Sequence, residues 1–113
     1  MGKFLIKSMY SSGFWARMIR APDDRVKAVR SLMEALGGSL ELIYWDIDSA
    51  SSWIIADLPD AVTAAAVRIT VAKTGAFSGV ETHELLTQEQ LGDVLALAGT
   101  GSQVYHAPGE SAV

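Results

Sequence analysis

The chain has 113 residues, of which 50% are apolar, carries a formal net charge of −4 and contains no cysteine. This length and composition favour one globular domain, and the missing thiols exclude a disulfide framework, a thiolate metal site and a cysteine nucleophile. The acidic balance argues against general nucleic-acid binding, which needs a basic surface. Lysines interrupt residues 1–10, unlike a signal peptide, and no window offers the roughly 20 apolar residues that cross a bilayer. We therefore expect a cytoplasmic protein with no nucleic-acid or membrane partner.

The first third of the chain predicts a strand and two helical segments. Residues 3–10 alternate as a half-buried strand does. One face of this strand consists of Phe4, Ile6, Ser8 and Tyr10, and the other of Lys3, Leu5, Lys7 and Met9. Large apolar side chains recur at helical spacing from Phe14 to Ile19, which indicates a short helix that Pro22 interrupts. The main helix is expected over about residues 24–36, with Asp23 as its N-cap.

The middle of the chain predicts a β-hairpin followed by a helix. Strands are expected over residues 40–46 and 53–57, joined by a short polar turn. Alternation places Leu42 and Tyr44 on one face of the first strand and Ile43 and Trp45 on the other. Asp60 is the expected N-cap of a helix over about residues 61–73. The predicted apolar stripe of this helix comprises Val62, Ala65, Ala66 and Ile69.

The last third predicts one more strand and one more helix. The strand is expected over residues 79–86, and Thr87 with Gln90 has the form of a capping box. The helix should continue to about Ala98, with Leu91 and Leu95 in its apolar stripe. Residues 1–98 are therefore expected to form the domain, and residues 99–113 a flexible C-terminal tail.

The order of these elements predicts an α+β fold, ferredoxin-like βαββαβ plus a C-terminal helix, with a four-stranded antiparallel sheet. Two helices cover one face of such a sheet, and either choice of open face leaves large apolar side chains on it. The two possible sets include Leu5, Met9, Ile43 and Trp45 in one case, and Phe4, Ile6, Leu42 and Tyr44 in the other. A contiguous patch of this kind is unusual on a monomer. We therefore predict a homodimer that packs sheet to sheet.

Several stretches together resemble the GYD domain proteins. They are KFLIKSMYSSGF, RSLMEALGGSLE, WIIADLPD, AAAVRITVAKTGA and VETHELLTQEQ, and the resemblance extends from about Gly2 to Ala98. It implies a ferredoxin-like fold of the dimeric α+β barrel kind and little about function, because that family is largely uncharacterised. The Gly-x-Tyr-Asp motif that names the family is not matched, since Asp48, Ala50 and Ser51 occupy its positions. No role tied to that motif carries over to this chain.

Aromatic residues and one histidine are the candidate ligand-binding residues. Flat surfaces for a partly planar ligand are offered by Tyr10, Trp15, Tyr44, Trp45 and Trp53, although aromatic residues also fill cores and interfaces. His83 is expected inside the sheet, where it could shuttle a proton or bind a ligand if its face lines a cavity. It could equally be a hydrogen-bonded strand residue without a chemical role.

Charged residues supply the remaining candidates. Asp46 joins His83 and Tyr10 as a candidate catalytic residue, although carboxylates near a hairpin more often serve turns and caps. Lys7, Arg17 and Arg20 could hold an anionic group near the mouth of a helix–sheet pocket, or they could simply be solvated. No motif for a phosphate loop, a zinc protease or a serine hydrolase occurs, and we expect neither a metal nor a cofactor.

Three functions remain open from the sequence. The first is a homodimeric module that binds a small, partly planar metabolite or serves as an accessory protein. The second is a cofactor-independent monooxygenase, isomerase or cyclase of the dimeric α+β barrel kind, and the third is a purely structural partner subunit. A cavity between helices and sheet that His83 or Tyr10 enters would favour the enzyme. Filling of that space by Phe4, Val29, Val62 and Ile69 would exclude catalysis inside the monomer.

Overall fold

A computed structural model describes residues 1–110. The elements in chain order are strand β1 (Gly2–Tyr10), helices α1 (Ser12–Arg20) and α2 (Arg25–Ala35), strands β2 (Ser39–Asp46) and β3 (Ser51–Leu58), helix α3 (Ala61–Ala72), strand β4 (Phe77–Leu85) and helix α4 (Gln88–Ser102). The four strands form one antiparallel sheet in the order β2-β3-β1-β4. The predicted α+β, ferredoxin-like architecture is confirmed, with α1 as an additional short helix between β1 and α2.

The core lies between the sheet and helices α2 and α3. Alternate residues of the two central strands are buried, because successive side chains of a strand point to opposite faces. The fully buried apolar side chains of this layer include Phe4, Ile6, Met33, Ile54, Leu58 and Val67. Each large side chain buried here contributes about 1.5–3 kcal/mol. The sequence left open which face of β1 is inward, and the structure places Phe4 and Ile6 on it.

Helix α3 packs through a different face from the predicted one. Its buried residues are Ala64 and Val67, with Val71 packed against the same core. Val62 and Ile69, which were expected in the core, are 78% and 67% exposed. The helix is apolar almost all the way round, so the 3.6-residue period fits more than one face. Packing against the sheet therefore selects the face that carries Ala64 and Val67.

The helix N-termini follow simple capping chemistry. Asp24, and not the predicted Asp23, caps α2 by accepting a hydrogen bond from the Lys27 amide at 3.0 Å. Asp60 caps α3 as predicted, with a bond from the Thr63 amide at 2.8 Å. Thr87 and Gln90 form the predicted reciprocal capping box of α4. Each cap satisfies backbone N–H groups that the first helical turn leaves without partners.

The face of the sheet opposite to the helices is uncovered, and we call it the open face. Its apolar residues are Leu5 and Met9 of β1, Leu42 and Tyr44 of β2, and Trp53 and Ile55 of β3. This set mixes the two predicted alternatives, because a register shift between Leu40 and Leu42 reverses the alternation of β2. Ile43 consequently packs against the core, on the same side as Leu40.

Helix α4 extends away from the rest of the chain. None of its residues is buried, and its predicted apolar stripe, which includes Leu91 and Leu95, is exposed. The radius of gyration is 18.7 Å, against about 13 Å for a compact chain of this length. The helix continues through Ser102, beyond its predicted end at Ala98, and so includes the start of the predicted tail. The last three residues of that tail lie outside the described part of the chain.

Candidate functional site

An aromatic cluster fixes α1 against the end of the sheet. The Tyr10 ring, at the end of β1, stacks on Phe14 with ring centroids 3.8 Å apart. Phe77 at the start of β4 packs on the same Tyr10 ring at 5.2 Å, and Trp15 meets it edge-on at 5.3 Å. The Ser11 amide also donates to the Ala76 carbonyl at 3.0 Å, which ties the start of α1 to the segment before β4. Aromatic contacts of these kinds stabilise beyond the area they bury.

Residues of α1 line two adjoining concavities, and we call the two together the α1 cleft. Its larger part, the arginine lobe, has a volume of about 580 Å³. The arginine lobe is lined chiefly by Arg17 and Arg20 of α1, Leu32 of α2, Thr70 and Val71 of α3, and Phe77 of β4. Its smaller part, the tryptophan lobe, has a volume of about 430 Å³. The tryptophan lobe is lined chiefly by Trp15, Val26, Trp45 and Ile47.

The two lobes share Phe14, Met18, Asp23 and Arg25, so they adjoin each other along α1. Both volumes fall within the range of about 300–1,000 Å³ that is typical of small-ligand sites. A single elongated ligand could therefore contact both lobes.

The charged lining of the arginine lobe is positive. Its charged residues are Arg17, Arg20, Asp23 and Arg25, three cations and one anion, in a protein of net charge −4. Arg25 lies over the Phe14 ring, with its guanidinium carbon 5.9 Å from the ring centroid, and contacts the Asp23 carboxylate at 3.4 Å. Within residues 1–110, neither Arg17 nor Arg20 forms an ion pair. These two cations therefore face the cleft without a carboxylate of the protein to balance them.

The predicted ligand-binding residues divide between two faces of the molecule. Trp15 lines the tryptophan lobe, and Tyr10 supports it from behind as a buried member of the aromatic cluster. Trp53 and His83 lie on the open face instead, because Trp53 pairs with Lys7 and His83 with Leu5 across the sheet. One small ligand cannot contact all four side chains within a single protomer.

His83 sits in an exposed polar pair. Its Nε2 atom lies 3.2 Å from a carboxylate oxygen of Glu81, and both side chains are about half exposed. The two residues are neighbours on the same strand face because they are two apart on β4. Neither His83 nor Tyr10 lines the cleft between helices and sheet, so the condition that favoured catalysis there is not met.

Asp46 serves the hairpin turn between β2 and β3. Its carboxylate accepts hydrogen bonds from the backbone amides of Asp48 at 3.0 Å and Ser49 at 3.3 Å. Bonds from Ser49, through its hydroxyl and then its amide, lower the pKa of Asp46 below the ordinary value. A carboxylate stabilised as the anion is a weak base, and turn formation accounts for its contacts. Asp46, Tyr10 and His83 thus lie in three separate places.

Lys7 was expected near the mouth of the pocket with Arg17 and Arg20, and it lies elsewhere. Its ammonium group is 4.9 Å from the centroid of the Trp53 ring on the open face, the geometry of a cation–π contact. The prediction was wrong for Lys7, since its strand position directs it away from the helices. Arg17 and Arg20 do line the arginine lobe, and both are also exposed to solvent, so the two alternatives given for them stay open.

Three lining residues of the α1 cleft were not predicted as site residues. Phe14 and Phe77 were not singled out for binding, whereas Trp45 was among the aromatic candidates for a planar ligand. Arg25 was taken as the solvated side of a helix, although its Nε atom is buried and has no hydrogen-bond partner among the described residues. The signal available in the sequence was the concentration of arginine and aromatic residues on either side of Pro22.

Searches for other kinds of site were negative within the described residues. No group of three or more His, Asp or Glu side chains there comes together in a way that could hold a metal ion. No helix of residues 1–110 is long and apolar enough to span a bilayer.

The fold and the comparisons define the class of protein. An antiparallel four-stranded sheet with helices on one face is a ferredoxin-like α+β domain. The family model of the GYD domain matches residues 4–95, which is most of the chain, and the chain therefore belongs to the GYD domain family. Comparisons with curated proteins and with solved structures gave no significant match. The family membership confirms the predicted resemblance.

Proposed function

We propose that this protein is a homodimeric module that binds a small, partly planar metabolite in the α1 cleft. The observation that carries the proposal is the tryptophan lobe, where Trp15 and Trp45 line the same concave surface with Val26 and Ile47. Indole rings provide large flat apolar surfaces, and a planar ligand can stack on them. An apolar concavity with a few polar groups is the usual form of a small-molecule site.

Binding, rather than catalysis, fits the side chains of this cleft. Its ionisable groups are arginines, which stay protonated and do not exchange protons, and a single carboxylate, Asp23. Asp23 is already in contact with Arg25. Groups of this kind can orient a ligand, but they form no acid–base pair around a reacting atom.

The homodimer follows from the open face. Tyr44 and Trp53, which pair across β2 and β3, are 69% and 36% exposed, and Ile55 and Leu5 extend the patch. A second copy placed sheet to sheet would cover this surface and form the dimeric α+β barrel that the family resemblance implies. Trp53, Lys7 and His83 would then lie between the two sheets.

Light scattering on the purified protein tests the assembly. We expect a mass near twice the chain mass of 12.1 kDa. Trp53→Glu should give the monomer, because it buries a charge between the sheets. Ile69→Glu is the matched control, since Ile69 is also apolar and exposed but lies on α3. A monomeric wild-type protein at micromolar concentration would overturn the dimer.

A thermal-shift screen of planar aromatic and quinone-like metabolites tests ligand binding. We expect stabilisation of the wild-type protein by at least one compound, because a ligand that binds only the folded state raises the melting temperature. Trp15→Leu should abolish that shift, whereas Tyr105→Leu, at an exposed aromatic residue outside the cleft, should preserve it. A shift that survives both Trp15→Leu and Trp45→Leu would place the ligand elsewhere.

The cytoplasmic location remains part of this proposal. It rests on the composition of the chain, and cell fractionation tests it: recovery in the secreted fraction would contradict it.

A further inference from the structure

We infer that the ligand of the α1 cleft is anionic, with a planar body against the tryptophan lobe and a carboxylate or phosphate group held by Arg17 and Arg20. This inference rests on the proposed binding function and adds the chemical class of the ligand. It depends on the position of Arg17 and Arg20 beside the tryptophan lobe, which follows neither from the family membership nor from the fold class.

Arg17 and Arg20 lie on one side of α1, because residues three apart in a helix are neighbours. Both line the arginine lobe, and among the described residues neither has an acidic partner. Two adjacent cations repel each other, and because Arg17 and Arg20 are both exposed, water and salt screen part of this repulsion. An anion between them would remove this repulsion and accept charge-assisted hydrogen bonds from both guanidinium groups.

Arg17 and Arg20 lie in the last turn of α1, and this position does not by itself explain why both line a concavity. Cations in the last helical turn do interact favourably with the helix dipole. Cations at a helix end that faces only solvent would interact with the dipole in the same way, and no cleft would be needed. Here the same two side chains border a concavity whose other walls include Leu32, Val71 and Phe77. Apolar walls beside an unbalanced positive charge are suited to a ligand with an apolar body and an anionic end.

The adjoining lobes define how the two parts of such a ligand are arranged. Phe14 and Arg25 line both lobes, so the planar and anionic parts lie on either side of this shared boundary. Asp23 lines both lobes as well, and its carboxylate is occupied by Arg25 at 3.4 Å. The acidic side chain therefore does not neutralise Arg17 or Arg20. It does disfavour a second negative charge on the planar part of the ligand.

Calorimetric titration with three matched naphthalene probes tests the inference. The probes are 2-naphthoate, 2-naphthyl phosphate and the neutral 2-naphthamide, which share one planar body and differ in the attached group. We expect at least one anion to bind about tenfold more tightly than the amide, as charge-assisted hydrogen bonds allow. Comparison of the two anions distinguishes a carboxylate ligand from a phosphate ligand. Added salt should weaken the anion and leave the amide unchanged.

Variants locate the charge recognition. Arg17→Gln and Arg20→Gln together should reduce anion affinity by about tenfold without changing amide affinity. Arg68→Gln is the control, since Arg68 is an exposed arginine on α3 that does not line the cleft. Equal binding of anion and amide, or an unchanged anion affinity in the double variant, would overturn the inference and leave the proposed binding function standing. Failure of all three probes to bind at millimolar concentration would overturn both.

Discussion

Tyr10 and Phe14 stack almost parallel, with an angle of 11° between the ring planes and 3.8 Å between the ring centroids. Tyr10 is the last residue of the central strand β1, and Phe14 lies in the first turns of α1. The stack therefore joins the sheet to the helix that forms the α1 cleft. Because α1 is short and mostly exposed, we regard this contact as the main determinant of its position.

Replacement of Phe14 should loosen this junction. Phe14→Ala removes a buried ring, and we expect it to lower the free energy of unfolding by about 3–5 kcal/mol. Urea denaturation followed by circular dichroism measures the change. Met18→Ala is the comparison, since Met18 also lines both lobes but is only half-buried, and it should cost less. Equal losses in the two variants would mean that the Tyr10–Phe14 stack has no special role.

The N-cap of α2 offers a second test, between two adjacent aspartates. Asp24→Ala removes the acceptor of the Lys27 amide and should destabilise the protein by about 1 kcal/mol. Asp23→Ala removes only a long contact with Arg25 on the surface, so its effect should be within about 0.5 kcal/mol. Thermal unfolding of both variants under the same conditions compares them. A larger loss of stability for Asp23→Ala than for Asp24→Ala would show that Asp23, as predicted from the sequence, is the N-cap.

Glycine at position 38 is required by a close approach of two backbone segments. A Cβ atom on Gly38 would lie 2.3 Å from the Asp57 carbonyl oxygen and 2.7 Å from the Leu58 side chain. Gly38→Ala should therefore destabilise the protein by about 1–3 kcal/mol, because the start of β2 must move away from β3. Gly92→Ala in α4 meets nothing within 4 Å, and should stabilise its helix by up to about 1 kcal/mol. Opposite signs in chemical denaturation are the expected result.

Stability should fall in acid partly through Asp60. Hydrogen bonds from the Thr63 amide, and then from its hydroxyl, lower the pKa of Asp60 from its ordinary value of 3.8. A carboxyl group with a lowered folded-state pKa stabilises the protein above its unfolded-state pKa, and this stabilisation is lost as pH falls through the folded value. Asp60→Ala should thus be less stable than wild type at pH 7, with the difference shrinking below about pH 4.

Unfolding curves of wild type and Asp60→Ala between pH 2 and 7 measure this dependence. Asp60→Asn is the control, because asparagine caps a helix without a titratable group. A difference between wild type and Asp60→Ala that stays constant over the whole range would show that the charge of Asp60 contributes nothing to the cap.

Much of the fold could be predicted because it depends on local patterns. Alternation in β1 correctly placed Phe4 and Ile6 on one face, although it left open which face is inward, and Thr87 with Gln90 correctly marked the start of α4. The candidate site was predicted less well. Tyr10 and Trp15 lie at or behind the cleft, but Trp53 and His83 are on the other face, and Phe14 and Arg25 were missed. Sheet pairing and helix packing bring those residues together, and neither is visible in spacing along the chain.

The order of the main strands and helices, the alternation of β1 and the caps Asp60 and Thr87 could be predicted from local sequence, because they follow from the chemistry of neighbouring residues. Tertiary structure alone decided which faces of β2 and α3 meet the core. The register shift beside Leu42 reverses the alternation of its strand, and α3 is apolar on almost every side. In both cases the local pattern fits two arrangements, and only packing against the rest of the sheet selects one of them.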